Sequence, residues 1–146
     1  MERTLIIIKP DALVKRSVGE IMGRFEKEGG RIAAVKMVFL TLEKARMFYG
    51  EHLGKDFYEP LVKFMSSNPC FAMVLEGDDM IRKVREIVGN TDSAKAAKGT
   101  LRNLFGTDNR HNAVHASDSP EKAKREISFF FSEDEIFSWE DRIYKK

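Results

Sequence analysis

The chain has 146 residues, with 25 Lys+Arg against 23 Asp+Glu and a formal charge of +2, so its bulk electrostatics make no case for a nucleic-acid or membrane-surface protein. A hydrophobic fraction of 42% and a charged fraction of 33% are those of a water-soluble globular chain, and the length suits a single domain over residues 1–146. The one cysteine, Cys70, excludes an internal disulfide and a CxxC zinc site, and its apolar surroundings predict a packed thiol.

The elements follow in chain order. Thr4–Ile8 is continuously apolar and β-branched, which predicts a strand buried on both faces. Lys9-Pro10-Asp11 closes it, because proline cannot extend a central ladder. This short run before a proline is no signal peptide, and no stretch reaches the roughly 20 apolar residues of a membrane span, so a cytoplasmic protein is expected. Ser17-Val18-Gly19-Glu20 has the capping-box form, with Val18, Ile21, Met22 and Phe25 at helical spacing until Gly29-Gly30. Residues 31–40 predict a second strand. Thr41 caps a helix carrying Ala45, Phe48 and Tyr49, and a second helical piece spans Asp56 to Met65. After the Ser66–Pro69 turn, residues 70–76 read as a third strand. Met80, Ile81, Val84, Ile87 and Val88 then mark a helix that Gly89-Asn90 terminates. Thr91 to Asn112 reads as a long loop, a feature that is usually functional or disordered. Residues 112–115 form a short fourth strand, and Ser119-Pro120 opens a helix lined by Ala123, Ile127, Phe130 and Phe131. The acidic, aromatic tail from Ser132 to Lys146 carries no clear periodicity.

With the helical pair set aside, the order is strand, helix, strand, strand, helix, strand. It predicts an α+β, ferredoxin-like (split βαβ) fold: a four-stranded antiparallel sheet with helices on one face and an inserted helical pair. The same order serves RNA-recognition domains, but the aromatic RNP1 pattern is missing here.

Neither a G-x-x-x-x-G-K-[ST] loop nor a G-x-G-x-x-G turn is present, so a nucleotide's phosphates would need separate side chains such as Lys9, Arg85 and Arg102. His111 and His115 are spaced i, i+4, but the residues between them look like strand, which argues against a metal pair. His52 and His111 read as surface residues. His115, on a strand end, is either an ordinary satisfied histidine or a ring nitrogen meant to be reached.

Residues 112–119, Asn-Ala-Val-His-Ala-Ser-Asp-Ser, resemble the signature segment of nucleoside diphosphate kinases. The segments "ERTLIIIKPDAL", "VGEIMGRFE", "FMSSNP", "AMVLEG", "VREIVGNTD" and "GTLR" resemble the same family in order and spacing, over nearly the whole chain. The resemblance implies transfer of the γ-phosphoryl group of a nucleoside triphosphate to a nucleoside diphosphate. The route is a ping-pong mechanism through a phosphohistidine, with broad base specificity. It puts His115 in the nucleophile's place, Glu126 as the group orienting its ring, and Lys9 at the strand-end lysine. It assigns nucleotide binding to Lys9, Tyr49, Phe57, Arg85, Thr91, Arg102 and Asn112. Mg²⁺ would arrive bound to the nucleotide phosphates, with no metal-ligand set on the protein, and a homo-hexamer or homo-tetramer is implied.

Rival readings stay open for several of these residues. Tyr49 and Phe57 lie on an apolar helical stripe that core packing also explains, Arg85 has basic neighbours of a solvated helix face, and Glu126 has basic neighbours to pair with. Ser117 and Asp118 serve the turn or bond Glu126. The sequence also departs from the family pattern. Ala116 stands where glycine is frequent, which would strain the backbone if φ there were positive. Ser93, Lys98 and Asp56 stand in places of prolines, and Asn68 in that of a glycine.

Overall fold

The computed structural model describes residues 1–139. The sheet has the order β2-β3-β1-β4, with β1 Glu2–Ile8, β2 Arg31–Val38, β3 Cys70–Gly77 and β4 Val114–Ala116, every neighbouring pair antiparallel. The helices are α1 Pro10–Val14, α2 Val18–Lys27, α3 Leu42–Phe48, α4 Tyr58–Met65, α5 Met80–Val88, α6 Leu101–Phe105 and α7 Pro120–Phe130. This is the split βαβ arrangement that the element order predicts.

The continuous apolar run of β1 has a direct cause. Leu5 and Ile7 point to a core completed by Ala45, Phe48, Val62, Met65, Ile127 and Phe130 of α3, α4 and α7. Ile6 and Ile8 point the other way, to Ile21, Phe25, Val84, Val88 and Leu101 of α2, α5 and α6. The two crossover helices α2 and α5 share one face, as the ferredoxin-like order requires. The inserted pair and α7 cover the other, so alternate residues of one strand are buried in both directions. Each such side chain contributes about 1.5–3 kcal/mol of transfer free energy.

Several local expectations change. Pro10 does more than end β1: its fixed φ opens α1 at the first helical position. The Ser17 capping box does not form; with φ −99° and ψ 2° the backbone is not extended, and Ser17 Oγ lies 3.5 Å from the Lys15 carbonyl instead. The second helical piece begins at Tyr58, after a turn that holds Asp56 and Phe57. The long loop contains a 3₁₀ turn, Ser93–Lys95, and the helix α6, whose N-cap Thr100 accepts from the Asn103 N–H. The cap at Thr41 and the Ser119-Pro120 start of α7 form as read.

The tail takes a defined path as far as Trp139. Ile136 is buried in the α3/α4/α7 core, and the Phe137 N–H donates to the Ala33 carbonyl at 2.9 Å. Trp139 Nε1–H donates to the Ile32 carbonyl at 2.9 Å. A register shift between Ile32 and Ala34 leaves Ala33 as an extra residue in β2, at the point where the tail crosses. The rest of the predicted tail, residues 140–146, lies outside the described residues.

Candidate active site

His115 stands opposite Ile7 in the β1–β4 ladder, so its ring shares the sheet face covered by α3, α4 and α7. Phe48 meets it edge-on at 5.5 Å and Tyr49 at 6.5 Å between ring centres. The packing fixes the ring without sealing it, for 22% of the side chain remains exposed. Nε2 lies 2.8 Å from Glu126 Oε1, and the same oxygen accepts from Ser117 Oγ at 2.6 Å. An ionised carboxylate only accepts, so Nε2 carries a proton, and in the neutral form of the ring Nδ1 is the nitrogen with the lone pair. Glu126 therefore reaches across from α7 to the imidazole and does not pair with a basic neighbour on its own helix.

The ring opens on a cavity of about 380 Å³. Lys9, Tyr49, Phe57, Arg85, Thr91, Arg102, Asn112, His115 and Glu126 all line it. These nine side chains come from the β1–α1 junction, α5, α6, β4, α7, the helical pair and the long loop.

Three of the cations that line the cavity, Lys9, Arg85 and Arg102, are held by neutral acceptors. Lys9 Nζ donates to Asn112 Oδ1 and to the Arg110 carbonyl, both at 2.9 Å. Arg85 donates to the Ala116 carbonyl at 3.1 Å. Arg102 donates to the Gly89 carbonyl at 3.0 Å and to the Val114 carbonyl at 2.8 Å. Gly89 suits this place, since its φ is +90° and a Cβ there would meet Thr100 at 2.6 Å. Among the described residues none of the three cations forms a salt bridge, while Lys122 at the same cavity pairs with Asp118 at 3.2 Å and Glu51 at 3.3 Å. Cations without carboxylate partners, converging on one cavity, form an anion site.

The turn into β4 is strained. Ala113 has φ +70° and is fully buried, and the Val114 N–H donates to the Asn112 carbonyl at 2.8 Å. An i→i+2 bond at positive φ is the unfavourable form of the γ-turn, with a cost of order 1–3 kcal/mol. Ala116, where strain was anticipated, is not among the positive-φ residues.

Other lining residues were not legible. Glu51, His52, Lys122, Asn109 and Arg110 border the cavity without any motif to mark them, and Asp118 borders it from the signature segment. The sequence suggests a surface position for His52; its side chain is 28% exposed and its ring lies 5.0 Å from that of Phe57. Phe57 is 42% exposed at the lip, whereas Tyr49 is 6% exposed and its hydroxyl has no partner among the described residues.

The sequence matches the family profile described as nucleoside diphosphate kinase over residues 2–136. The chain belongs to the nucleoside diphosphate kinase family. A nucleoside diphosphate kinase of Archaeoglobus fulgidus is 49% identical over 150 residues, covering all of this chain and 99% of the relative. The crystal structure of the Aquifex aeolicus nucleoside diphosphate kinase superposes with a TM-score of 0.90 at 54% identity, over 92% of this chain and 98% of that one. The nucleoside diphosphate kinase of Halobacterium salinarum, solved in complex with CDP, gives a TM-score of 0.93 at 40% identity, over 97% and 95% of the two chains.

The electrostatics of this family member's cavity follow from burial. Burial pulls the Lys9 ammonium down to about 8, opposed by Asp11 and Asp108 and aided by Arg102 and Arg110. Burial and then the neighbouring Arg85 bring Arg102 down to about 10, which leaves it charged at neutral pH. Burial alone would raise the Glu126 carboxyl, but the hydrogen bonds from the His115 ring and the Ser117 hydroxyl, with the nearby charge of Arg125, hold it below the usual carboxylate range. Burial raises the Tyr49 phenol, which stays neutral. Among the described residues no three His, Cys, Asp or Glu side chains gather into a metal cage, and no helix is long and apolar enough to cross a membrane.

Proposed function

We propose that His115 Nδ1 carries the phosphoryl group in a two-step, ping-pong exchange between nucleoside triphosphates and diphosphates. The reading rests on one observation: His115, whose Nε2 is taken by Glu126, lines the same cavity as Lys9, Arg85 and Arg102, which have no carboxylate partner among the described residues. In the first half-reaction the Nδ1 lone pair forms a bond to the γ-phosphorus. The bond to the β,γ-bridging oxygen breaks, and the nucleoside diphosphate leaves with that electron pair. The leaving group is already a stable anion, so no strong general acid is needed. The positive charge that develops on the imidazole is balanced by Glu126 through Nε2–H. A different diphosphate then attacks the phosphohistidine and reverses the step.

Lys9, Arg85 and Arg102 neutralise the transferring oxygens, and the planar forks of the arginines match phosphate geometry. Mg²⁺ enters on the nucleotide, as suits an ion that binds through phosphates and few protein ligands, and supplies further charge neutralisation. Phe57 at the lip stacks on any base, and Lys9 and Asn112 bond the sugar hydroxyls, so the base is read loosely. Thr91 and Tyr49 complete the polar wall beside the phosphates. We read the chain as one cytoplasmic domain that assembles as a homo-hexamer or homo-tetramer. The exposed Val35, Met37 and Phe39 on and after the edge strand β2 are suited to bury against another copy.

Incubation with γ-labelled ATP tests the reading. Wild type is expected to take up label that is acid-labile and alkali-stable, and to pass it to GDP or CDP alike; protein that takes up none contradicts it.

A second expectation concerns pH. Lys9 is charged below about pH 8 and neutral above it, so the free protein's nucleotide affinity should fall by about 10-fold as pH rises through that value. Calorimetric titration with a nucleoside diphosphate between pH 7 and 9 measures it. The stability linkage has the opposite sign. Between about 8 and the ordinary lysine value of 10.5 only the unfolded chain holds this proton, so the cost of burying the charge disappears as pH rises.

A further inference from the structure

Asp11, in the first turn of α1, is spent in a way that neither its helix nor the phosphate cradle explains. Its Oδ2 accepts the Ala113 N–H at 3.0 Å, while Oδ1 is buried with no partner among the described residues. From the same short segment, the Lys9 N–H donates to the Ala113 carbonyl at 2.8 Å. The buried Ala113 is thus pinned at both its N–H and its C=O, at the one place near the cavity where a residue with a Cβ has positive φ. Pro10, between the two pinning residues, holds its own φ fixed and so limits the freedom of the clamp.

What the turn delivers is the site itself. Asn112, on one side, bonds Lys9 Nζ through Oδ1 and the Thr91 carbonyl through Nδ2. Val114, on the other, gives its carbonyl to Arg102, and His115 follows. The strand carrying His115 has only three residues, so few ladder bonds fix its register and the turn at its start must do so.

We propose that Asp11 is a positioning residue for phosphoryl transfer: its carboxylate clamps the strained turn at Ala113 and so sets Asn112 and His115 against the cavity. The proposal rests on His115 as the phosphorylated residue. The charge of the carboxylate gives it a second effect that an uncharged acceptor lacks. Of the charged groups around Lys9, Asp11 and Asp108 favour its protonated form, while Arg102 and Arg110 oppose it. Asp11 exerts the largest of these influences.

Four proteins separate holding the turn from merely filling space, with the rate of His115 labelling by γ-labelled ATP as readout and urea unfolding as control. Asp11→Ala is expected to label about 10²-fold more slowly than wild type, the usual cost of a misplaced reacting group. Ala113→Gly in the same chain should recover about 10-fold, because glycine takes φ +70° without a clamp. Asp11→Asn keeps an acceptor for the Ala113 N–H and should label at close to the wild-type rate. Its loss of nucleotide affinity with rising pH should set in at lower pH, since the charge favouring protonated Lys9 is gone. The asparagine variant keeps the test open if the alanine variant fails to fold. Folded Asp11→Ala labelling as fast as wild type, glycine giving no recovery, or an unshifted pH profile in Asp11→Asn would overturn the proposal. Wild type that takes no label sinks the His115 reading instead, so the two failures are distinct.

Discussion

Replacing His115 with glutamine is expected to lower phosphoryl exchange by about 10⁴-fold or more, because covalent catalysis ends with the loss of its nucleophile. The cost in stability should be small. The histidine side chain makes one hydrogen bond, to Glu126, and that carboxylate also holds the Ser117 hydroxyl. A glutamine amide can donate to the same oxygen, and part of the ring surface it replaces is already in water. Steady-state exchange measured beside urea unfolding checks both halves: activity near background, with stability within about 1 kcal/mol of wild type. Substantial exchange by this variant would mean that the phosphoryl group travels without position 115.

Arg102→Ala should do damage of two kinds. In the proposed reaction the guanidinium is a preorganised donor to the transferring phosphate, and losing such a donor typically costs about 10²–10³ in rate. Unlike His115, Arg102 also holds the architecture together. Its Nη atoms serve the carbonyls of Gly89 and Val114, tying the end of α5 to the strand that bears His115. The arginine is 4% exposed, so truncation leaves the buried Val114 carbonyl without this donor, at about 1–3 kcal/mol, and frees the half-buried Gly89 carbonyl as well. Arg102→Lys should restore charge without the fork, and so recover only part of the rate. The measurements are kcat/KM for a nucleoside diphosphate and the midpoint of urea unfolding. A variant that loses rate with full stability would place Arg102 in the phosphate cradle alone.

Much of this was legible in the residues, and the exceptions have physical causes. The run Thr4–Ile8 announced a strand buried on both faces, because alternation disappears when both sides are covered. Ser119-Pro120 announced α7, since capping chemistry is local. Residues that act across the fold were a different matter. Nothing local to Glu126 distinguishes a carboxylate bonding a histidine on a strand from one pairing along its own helix; family resemblance assigned it, and the 2.8 Å contact shows the partner. The helix α6 was missed because five residues are too few to establish a period, although Thr100 ahead of Leu101 was its cap. The strain expected at Ala116 sits at Ala113, because positive φ is set by how the chain enters β4, and that depends on Lys9 and Asp11 a hundred residues earlier. Glu51, His52 and Lys122 reach the cavity through the relative placement of the helical pair and α7, which no sequence window spans.

The most direct test lies in the chemistry of a single ring. The phosphoenzyme, formed with nucleoside triphosphate and freed of diphosphate, can be examined by phosphorus–nitrogen correlated NMR on protein labelled with ¹⁵N-histidine. Coupling of phosphorus to Nδ1 of His115, with Nε2 still protonated against Glu126, is the predicted result. Phosphorus on Nε2, or on any other side chain, would contradict it.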